Sequence, residues 1–406
     1  MIENINISSR KPRILINMHY MEIGGAERAL IGLLNAIDTN IVDVDLFLNQ
    51  HTGDFMRLIP SNINLLPEEP RYSILEKPII ETIKKGYLDI ALARLLGKLC
   101  HWGYSKIHKT DNKTDASIFQ YIAKYTTPLL PGLKEHGEYD LAISFLAPHN
   151  IVKDKIIAKK KIAWIHTDYS TIAINSKMEF KVWNAYDKII SISDKVTKTF
   201  CSCFPVLSNK VIEIENILSS EFIRQEALNF NPTEYYNDRL NFCSIGRYCY
   251  AKNFENIPLI AKSLIARGVN FHWFIIGYGN SEEIEQNILE TGTQSHITLL
   301  GKKNNPYPYI AKCDIYIQPS RYEGKSITVR EAQILCRPTL ITNYPTSASQ
   351  ITNGIDGIIC QSDNQSIASE IERLVTDKCL RQKIINHLSN HDYGNETEIN
   401  KIYNLI

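Results

Sequence analysis

The sequence predicts an α/β protein of two doubly wound domains with a cleft between them. Three observations predict it. The chain has 406 residues, too many for one ordinary hydrophobic core. It carries two successive series of short apolar runs that alternate with helical stretches. A polar connection broken by Pro232, residues 216–239, separates the two series.

The first series opens with a strand, Arg13–Asn17, followed by Gly24-Gly25 and a helical stretch from Ala26 to Ile37. Val42–Leu48 alternates like a strand, and residues 71–130 read as mostly helical and basic. Strands resume at Asp140–Phe145, Lys161–Ile165 and Lys188–Ile192, and Val211–Ile214 closes the series. The second series starts with the strand Leu240–Ile245 and the helix Asn256–Arg267. Its further strands are Phe271–Ile276, Ile297–Leu300, Asp314–Gln318, Thr339–Thr342 and Gly357–Cys360. Short apolar runs of this kind suit parallel strands buried on both faces. The domains are read as residues 1–215 and 216–391.

Composition excludes several classes. A net charge of +1 argues against a general nucleic-acid binder. The nine cysteines are dispersed without zinc-type spacing, which suits a reducing cytoplasm. No apolar stretch reaches the length of a membrane span, and the N-terminus lacks a signal-peptide pattern.

The most informative stretch is Pro319 to Ala332, where Glu323 and Glu331 stand eight positions apart. The apolar run before it places Glu323 in a strand-to-helix loop. Ser326 is positioned to cap the helix, and Glu331 falls about one turn into it. Both carboxylates are expected to face the crevice at the strand's C-terminal end, where open α/β sheets bind ligands. Ionised carboxylates accept hydrogen bonds from sugar hydroxyls, and a helix start holds an anion.

Other candidates lie at strand ends. Gly24 and Gly25 precede a helix with Glu27 and Arg28 in its first turn, and allow a close backbone approach to a ligand. His166, in Trp-Ile-His-Thr-Asp, follows the Lys161–Ile165 strand. Gly246-Arg247 ends the first strand of the second series, and Lys252 follows five residues on. Two cations there suit a diphosphate, Arg as a bidentate fork and Lys as a point charge. The polar loop Gly301–Tyr309, containing Asn305, is placed to read a nucleobase with backbone groups.

Taken together, these residues resemble the retaining glycosyltransferases of family four, which have the GT-B fold of two Rossmann-like domains facing a central cleft. The resemblance rests on Gly24-Gly25-Ala26-Glu27-Arg28, Trp164-Ile165-His166, Gly246-Arg247 with Lys252, Asn305-Pro306-Tyr307, and Glu323-Gly324 with Glu331-Ala332. It is strongest from Asn241 to Gly357 and weakest over residues 50–138.

The resemblance implies that Arg247 and Lys252 hold the donor's diphosphate and that Glu331 accepts the ribose hydroxyls. Glu323 would contact the donor sugar, with backbone N–H groups near Gly324, Lys325 and Ser326 assisting. Gly25 would approach the phosphate, and His166 would sit beside the transferred sugar. The C-terminal helix, about residues 392–406, would cross back to the first domain. After Glu-Gly the family often has an aromatic residue or leucine and then proline. This chain has Lys325-Ser326, which leaves the donor sugar open.

The implied function is transfer of a sugar from a nucleotide sugar, UDP-linked, to a hydroxyl of a glycan or lipid-linked acceptor. The setting would be surface polysaccharide synthesis, capsule or lipopolysaccharide, on the cytoplasmic side. No cofactor and no metal are expected, and no nucleic-acid partner. The alternative is a sugar-nucleotide epimerase of similar shape. A nicotinamide oxidoreductase is disfavoured, since the three-glycine dinucleotide fingerprint is missing.

One further feature concerns membranes. Residues 71–113 hold nine Lys and Arg against four Asp and Glu, with Ile79, Ile80, Ile83, Leu88, Leu92, Leu95, Leu96 and Leu99 at roughly helical spacing. A basic amphipathic helix of this kind can lie at an anionic membrane surface.

Overall fold

The computed structural model describes residues 10–108 and 113–406. The chain divides into two compact units, Met1–Ile217 with Glu396–Ile406, and Leu218–Asn395.

The first unit contains β1 (Arg13–Met18), β2 (Asp43–Leu48), β3 (Asn64–Leu65), β4 (Thr114–Asp115), β5 (Tyr139–Ser144), β6 (Ala158–Ile165), β7 (Ile172–Ala173), β8 (Lys188–Ser191) and β9 (Val211–Glu213). Seven of these form one sheet in the order β3-β2-β1-β5-β6-β8-β9, while β4 and β7 pair separately. Every ladder is parallel. The helix Ile399–Tyr403 belongs to this unit: its Tyr403 hydroxyl accepts from the Asp38 backbone N–H at 2.8 Å, and Ile399 and Ile402 are buried.

The second unit contains β10 (Leu240–Tyr248), β11 (Phe271–Gly279), β12 (Ile297–Gly301), β13 (Ile315–Gln318), β14 (Thr339–Thr342) and β15 (Ile358–Cys360). These form a parallel sheet in the order β12-β11-β10-β13-β14-β15. Neighbouring residues along each strand feed opposite cores. Phe242, Ile275, Ile315, Ile317 and Leu340 pack with helices Ile257–Ala266 and Asn364–Thr376. Cys243, Ile276, Tyr316 and Ile341 pack with Ile223, Ile310 and Val329 on the other face. Two buried faces explain why the strands read as continuous apolar runs.

Three departures from the sequence reading stand out. The connection 216–239 contains a helix, Ser220–Glu226, capped by Ser219, whose hydroxyl accepts from the Phe222 N–H at 3.3 Å. Its apolar contribution is small, mainly Ile223, so it reads as polar. The two-residue strands β3, β4 and β7 are too short to show a period. The segment Gly301–Tyr309 is not all loop, because a helix begins at Tyr307.

The basic region folds into helices that include Ile79–Lys84 and Leu88–Ile107. Lys109 and Asp111 lie outside the described residues. The long helix packs on Ser117–Thr126 through Gly97, where a Cβ would come within 3.0 Å of the Ile122 Cα.

Candidate active site

In the second unit, the chain lays down β10, adds β11 and β12 on one side, then crosses to add β13 on the other. That reversal opens a crevice at the C-terminal ends of β10 and β13, the usual ligand position in such sheets. Gly246 and Arg247 lie near the end of β10. Gly246 is in register with Gly277 of β11, and a Cβ on Gly277 would stand 1.9 Å from the Gly246 carbonyl oxygen. Arg247 is exposed, and its side chain has no hydrogen-bond or ion-pair partner among the described residues.

Lys252 ends a short turn, Tyr250–Lys252, and Asn253 follows in a left-handed conformation with φ 61°. The Asn253 amide donates to the Pro319 carbonyl at 2.9 Å, and the Arg321 N–H donates to Ala251 at 2.8 Å. These bonds fix the turn against the loop that follows β13.

That loop carries Glu323. Its Oε1 accepts from Lys252 Nζ at 2.6 Å, from Ser320 Oγ at 2.6 Å and from Gln318 Nε2 at 3.4 Å. Gln318 is oriented in turn by Tyr316, whose hydroxyl donates to it at 2.7 Å. The sequence reading gives Lys252 to a diphosphate and Glu323 to a sugar, whereas the structure joins the two as an ion pair. Gln318 and Ser320 were not singled out from sequence, although they sit within five residues of Glu323.

Gly324 is open, with nothing within 4 Å of a would-be Cβ. Ser326 holds the N-cap position of the helix Ile327–Ile334, but its hydroxyl makes no capping bond and pairs with Thr328 Oγ1 at 3.1 Å. Its N–H donates to Gln350 Oε1 at 3.0 Å. Lys325 is half-buried.

Glu331 corrects an expectation. It is 0% exposed rather than facing the crevice. The eight-residue helix also buries Val329, Ala332, Gln333 and Ile334. Asn305 is likewise buried, and its amide donates to the Glu226 carbonyl at 2.8 Å. Its Oδ1 accepts from the Tyr307 N–H at 3.1 Å.

In the first unit the order reverses between β1 and β5. After β1, Gly24 is the N-cap of the helix Gly25–Ala36. A Cβ on Gly24 would lie 2.1 Å from Glu27 Oε2, so that carboxylate folds back over the helix start. Gly25 has open space around it. His166 follows β6; its ring centroid is 4.7 Å from that of Phe145, and its imidazole bonds the Phe145 backbone. Burial lowers its pKa to about 4, so it is neutral near pH 7.

His149 escaped the sequence reading, though it follows β5 much as His166 follows β6. It is 2% exposed, its Nδ1 lies 2.8 Å from Ser144 Oγ, and burial lowers its pKa to about 3. Among the described residues, no cluster of three His, Cys, Asp or Glu side chains is placed to hold a metal ion.

Residues 226–390 match the model of the family described as Glycosyl transferases group 1. Solved structures cover both units. A TarM variant from S. aureus, in complex with UDP, superposes with a TM-score of 0.66 at 12% identity, over 97% of this chain and 99% of that one. Anabaena HepE in complex with UDP-glucose gives 0.61 at 14% identity, over 97% and 98%. The fold is GT-B.

Among curated relatives, the capsular polysaccharide biosynthesis glycosyltransferase CapM of Staphylococcus aureus is 28% identical over 36% of this chain and 40% of its own. A Campylobacter jejuni N-acetylgalactosaminyltransferase, named for a diphospho-undecaprenol-linked substrate, is 26% identical over 44% of this chain and 48% of its own. The chain spans less than half the length of these relatives.

Proposed function

We propose that this protein is a retaining glycosyltransferase. It moves a sugar from a UDP-sugar to a hydroxyl of a glycan or lipid-linked acceptor in surface polysaccharide synthesis. One observation carries the reading. Arg247, Lys252 and Glu323 gather at the switch-point crevice of the unit that matches the glycosyl transferase family, next to the start of the helix Ile327–Ile334. The names of CapM and of the C. jejuni enzyme favour the polysaccharide and lipid-linked setting. Nothing in the comparisons favours the epimerase alternative.

Breaking the anomeric bond leaves negative charge on the nucleotide diphosphate. Arg247, Lys252 and the N–H groups beside Gly324 and Lys325 stabilise that charge as it grows. Glu323, held by Ser320 and Gln318, orients the sugar hydroxyls, and attack from the leaving-group face retains configuration. In the first unit, His166 stands as a neutral imidazole after β6, and Gly25 leaves open space at a helix start. With protein cations in this role, the reaction proceeds without a divalent metal. Activity therefore survives excess EDTA; complete loss, restored by manganese or magnesium, would overturn the metal-free mechanism.

The deciding experiment supplies UDP-sugars with a lipid-linked saccharide acceptor and identifies the products. A glycosylated acceptor supports transfer, whereas an altered sugar nucleotide with an untouched acceptor makes the enzyme an epimerase. A thermal-shift series with nucleotides locates the donor class, since a ligand that binds only the native state raises its stability.

No helix among the described residues is long and apolar enough to cross a membrane. Peripheral attachment to an anionic membrane surface, through Leu88–Ile107 and its neighbours, is part of the proposal.

A further inference from the structure

Tyr316 and Gln318 lie two residues apart on β13, so their side chains leave the same face of the strand. Both are 0% exposed. A buried amide is costly unless its hydrogen bonds are matched. Here the match runs as a chain. The Tyr316 hydroxyl donates to Gln318 Oε1 at 2.7 Å, and Thr328 Oγ1 donates to the same oxygen at 3.4 Å. Gln318 Nε2 donates to Ser320 Oγ at 2.9 Å, and Ser320 Oγ donates to Glu323 Oε1 at 2.6 Å. Gln318 Nε2 also reaches that carboxylate oxygen directly, at 3.4 Å.

The chain has one direction. Glu323, paired with Lys252, is a carboxylate that only accepts. The amide must therefore turn its N–H groups towards Glu323 and its carbonyl oxygen back to Tyr316. Ser320 takes a hydrogen bond from the amide and gives its own proton to Glu323. The loop is pinned from a further side, since Thr342 Oγ1 donates to the Ser320 carbonyl.

The donors also choose between the two oxygens of Glu323. Lys252 Nζ, Ser320 Oγ and Gln318 Nε2 all end on Oε1. Oε2 has no hydrogen-bond partner among the described residues. Lys252 is the donor that a diphosphate competes for. Ser320 and Gln318 are neutral and fully buried, so they stay.

We propose that Gln318 is a positioning residue for the transfer. Oriented by Tyr316, it holds Ser320 and Glu323 Oε1 in place when the diphosphate draws Lys252 away, and Oε2 stays turned to the hydroxyls of the donor sugar. The proposal rests on the transferase reading and assigns Gln318 to the sugar rather than to the nucleotide.

The test measures Kd for UDP, UDP-glucose, UDP-galactose and UDP-N-acetylglucosamine by titration calorimetry on the full chain. The ratio of Kd values between two donors does not depend on how much of a preparation is folded. Gln318→Met keeps the bulk and removes the amide, whereas Tyr316→Phe removes only the hydroxyl that orients it. Each should narrow the preference between the best and the worst UDP-sugar by about tenfold, the scale of one hydrogen bond to a charged group, and leave UDP binding unchanged. Ser244→Ala is the structural control. Ser244 is equally buried, accepts from Trp273 Nε1 at 2.9 Å and donates to the Ile317 carbonyl at 2.6 Å, so its loss should lower Tm and spare the preference. Glu323→Ala should narrow the preference by itself, and adding Gln318→Met should narrow it no further, because the amide acts through the carboxylate.

An undiminished preference in both Gln318→Met and Tyr316→Phe overturns the proposal. So does a loss of UDP affinity equal to that of the best UDP-sugar, or an equal narrowing in Ser244→Ala. Further narrowing in the Glu323→Ala background would make Gln318 act on its own and overturns it too, as would equal Kd for every UDP-sugar in the unaltered protein. Failure of UDP and of all the UDP-sugars to bind the unaltered protein would instead defeat the transferase reading, and the proposal with it.

Discussion

Lys252 and Glu323 meet at 2.6 Å with side chains 19% and 12% exposed. Arg247 is exposed and its side chain has no partner among the described residues. The two cations should therefore fail differently. Arg247→Ala and Lys252→Ala should each lower turnover by about 10²–10³, the usual effect of losing one preorganised charge donor. Only Lys252→Ala should also lower Tm, because it strands a mostly covered carboxylate, at a cost of about 1–3 kcal/mol. The double change Lys252→Met with Glu323→Gln should recover much of that Tm without recovering turnover. Equal Tm in the two single variants would mean the pair carries no stability. Glu331→Gln should lower Tm ahead of any change in UDP affinity, since the carboxylate is fully covered. Unchanged Tm with weakened UDP binding would instead put Glu331 on the ribose. His149 and His166 add a pH dependence. Their ordinary value is 6.5, and burial lowers them to about 3 and about 4. The unfolded chain binds more protons over that window, so stability is full above pH 6.5 and declines as the pH falls towards 4. His149→Gln should flatten the decline of Tm with acid, and an unchanged slope would clear His149 of the effect.

Strands of the central sheets were legible because burial on both faces makes each a short apolar run, as in Phe271–Ile276. The edge strand Asn64–Leu65 was not, because two residues carry no period. The helix Ser220–Glu226 was hidden by its own polarity; a single well-buried Ile223 ties it to the core. At the site, position along a strand pointed to Arg247, Lys252, Glu323 and His166. The bonds from Ser320 and Gln318 to Glu323, and the closure of the helix over Glu331, depend on how the loop folds back, which no spacing records. Two glycines show the same limit. Gly25 stands in open space, whereas Gly277 lies against backbone that cannot move aside. Gly25→Ala should therefore melt normally and lose transfer, if a phosphate approaches there. Gly277→Ala should force β10 and β11 apart and lower stability by about 1–3 kcal/mol, as overpacking commonly does. Identical melting of the two variants would contradict this division.

At the scale of the whole molecule, the chain's near-zero net charge conceals an uneven surface. Leu88, Leu92, Leu95, Leu96, Leu99 and Trp102 are exposed on one helix, joined by Ile80 and Ile83 from the preceding one. Lys84, Lys98 and Lys106 are exposed among them, with Lys106 over the Trp102 ring at 3.5 Å. The remaining cations contribute less. Arg71 is paired with Asp89, Lys85 with Glu81, and Arg94 donates to the Lys77 carbonyl at 2.6 Å, so it anchors the helix. The sequence count of nine cations therefore overstates the charge a surface would meet. Monomeric proteins seldom leave so much contiguous apolar area in water. Each lysine beside an anionic bilayer contributes about 1 kcal/mol, and the effect fades within a Debye length. Three or four such charges, with inserted leucines and Trp102, amount to reversible attachment that salt weakens without abolishing. Sedimentation with anionic and neutral liposomes, at low and high salt, separates the terms. The protein should pellet most with anionic vesicles at low salt, less at high salt, and least with neutral vesicles. Leu92→Glu with Leu99→Glu should leave it in the supernatant, and because both side chains are exposed, Tm should not change. Equal recovery in the supernatant under all four conditions would remove the membrane from the proposal. The exposed stripe would then need another partner.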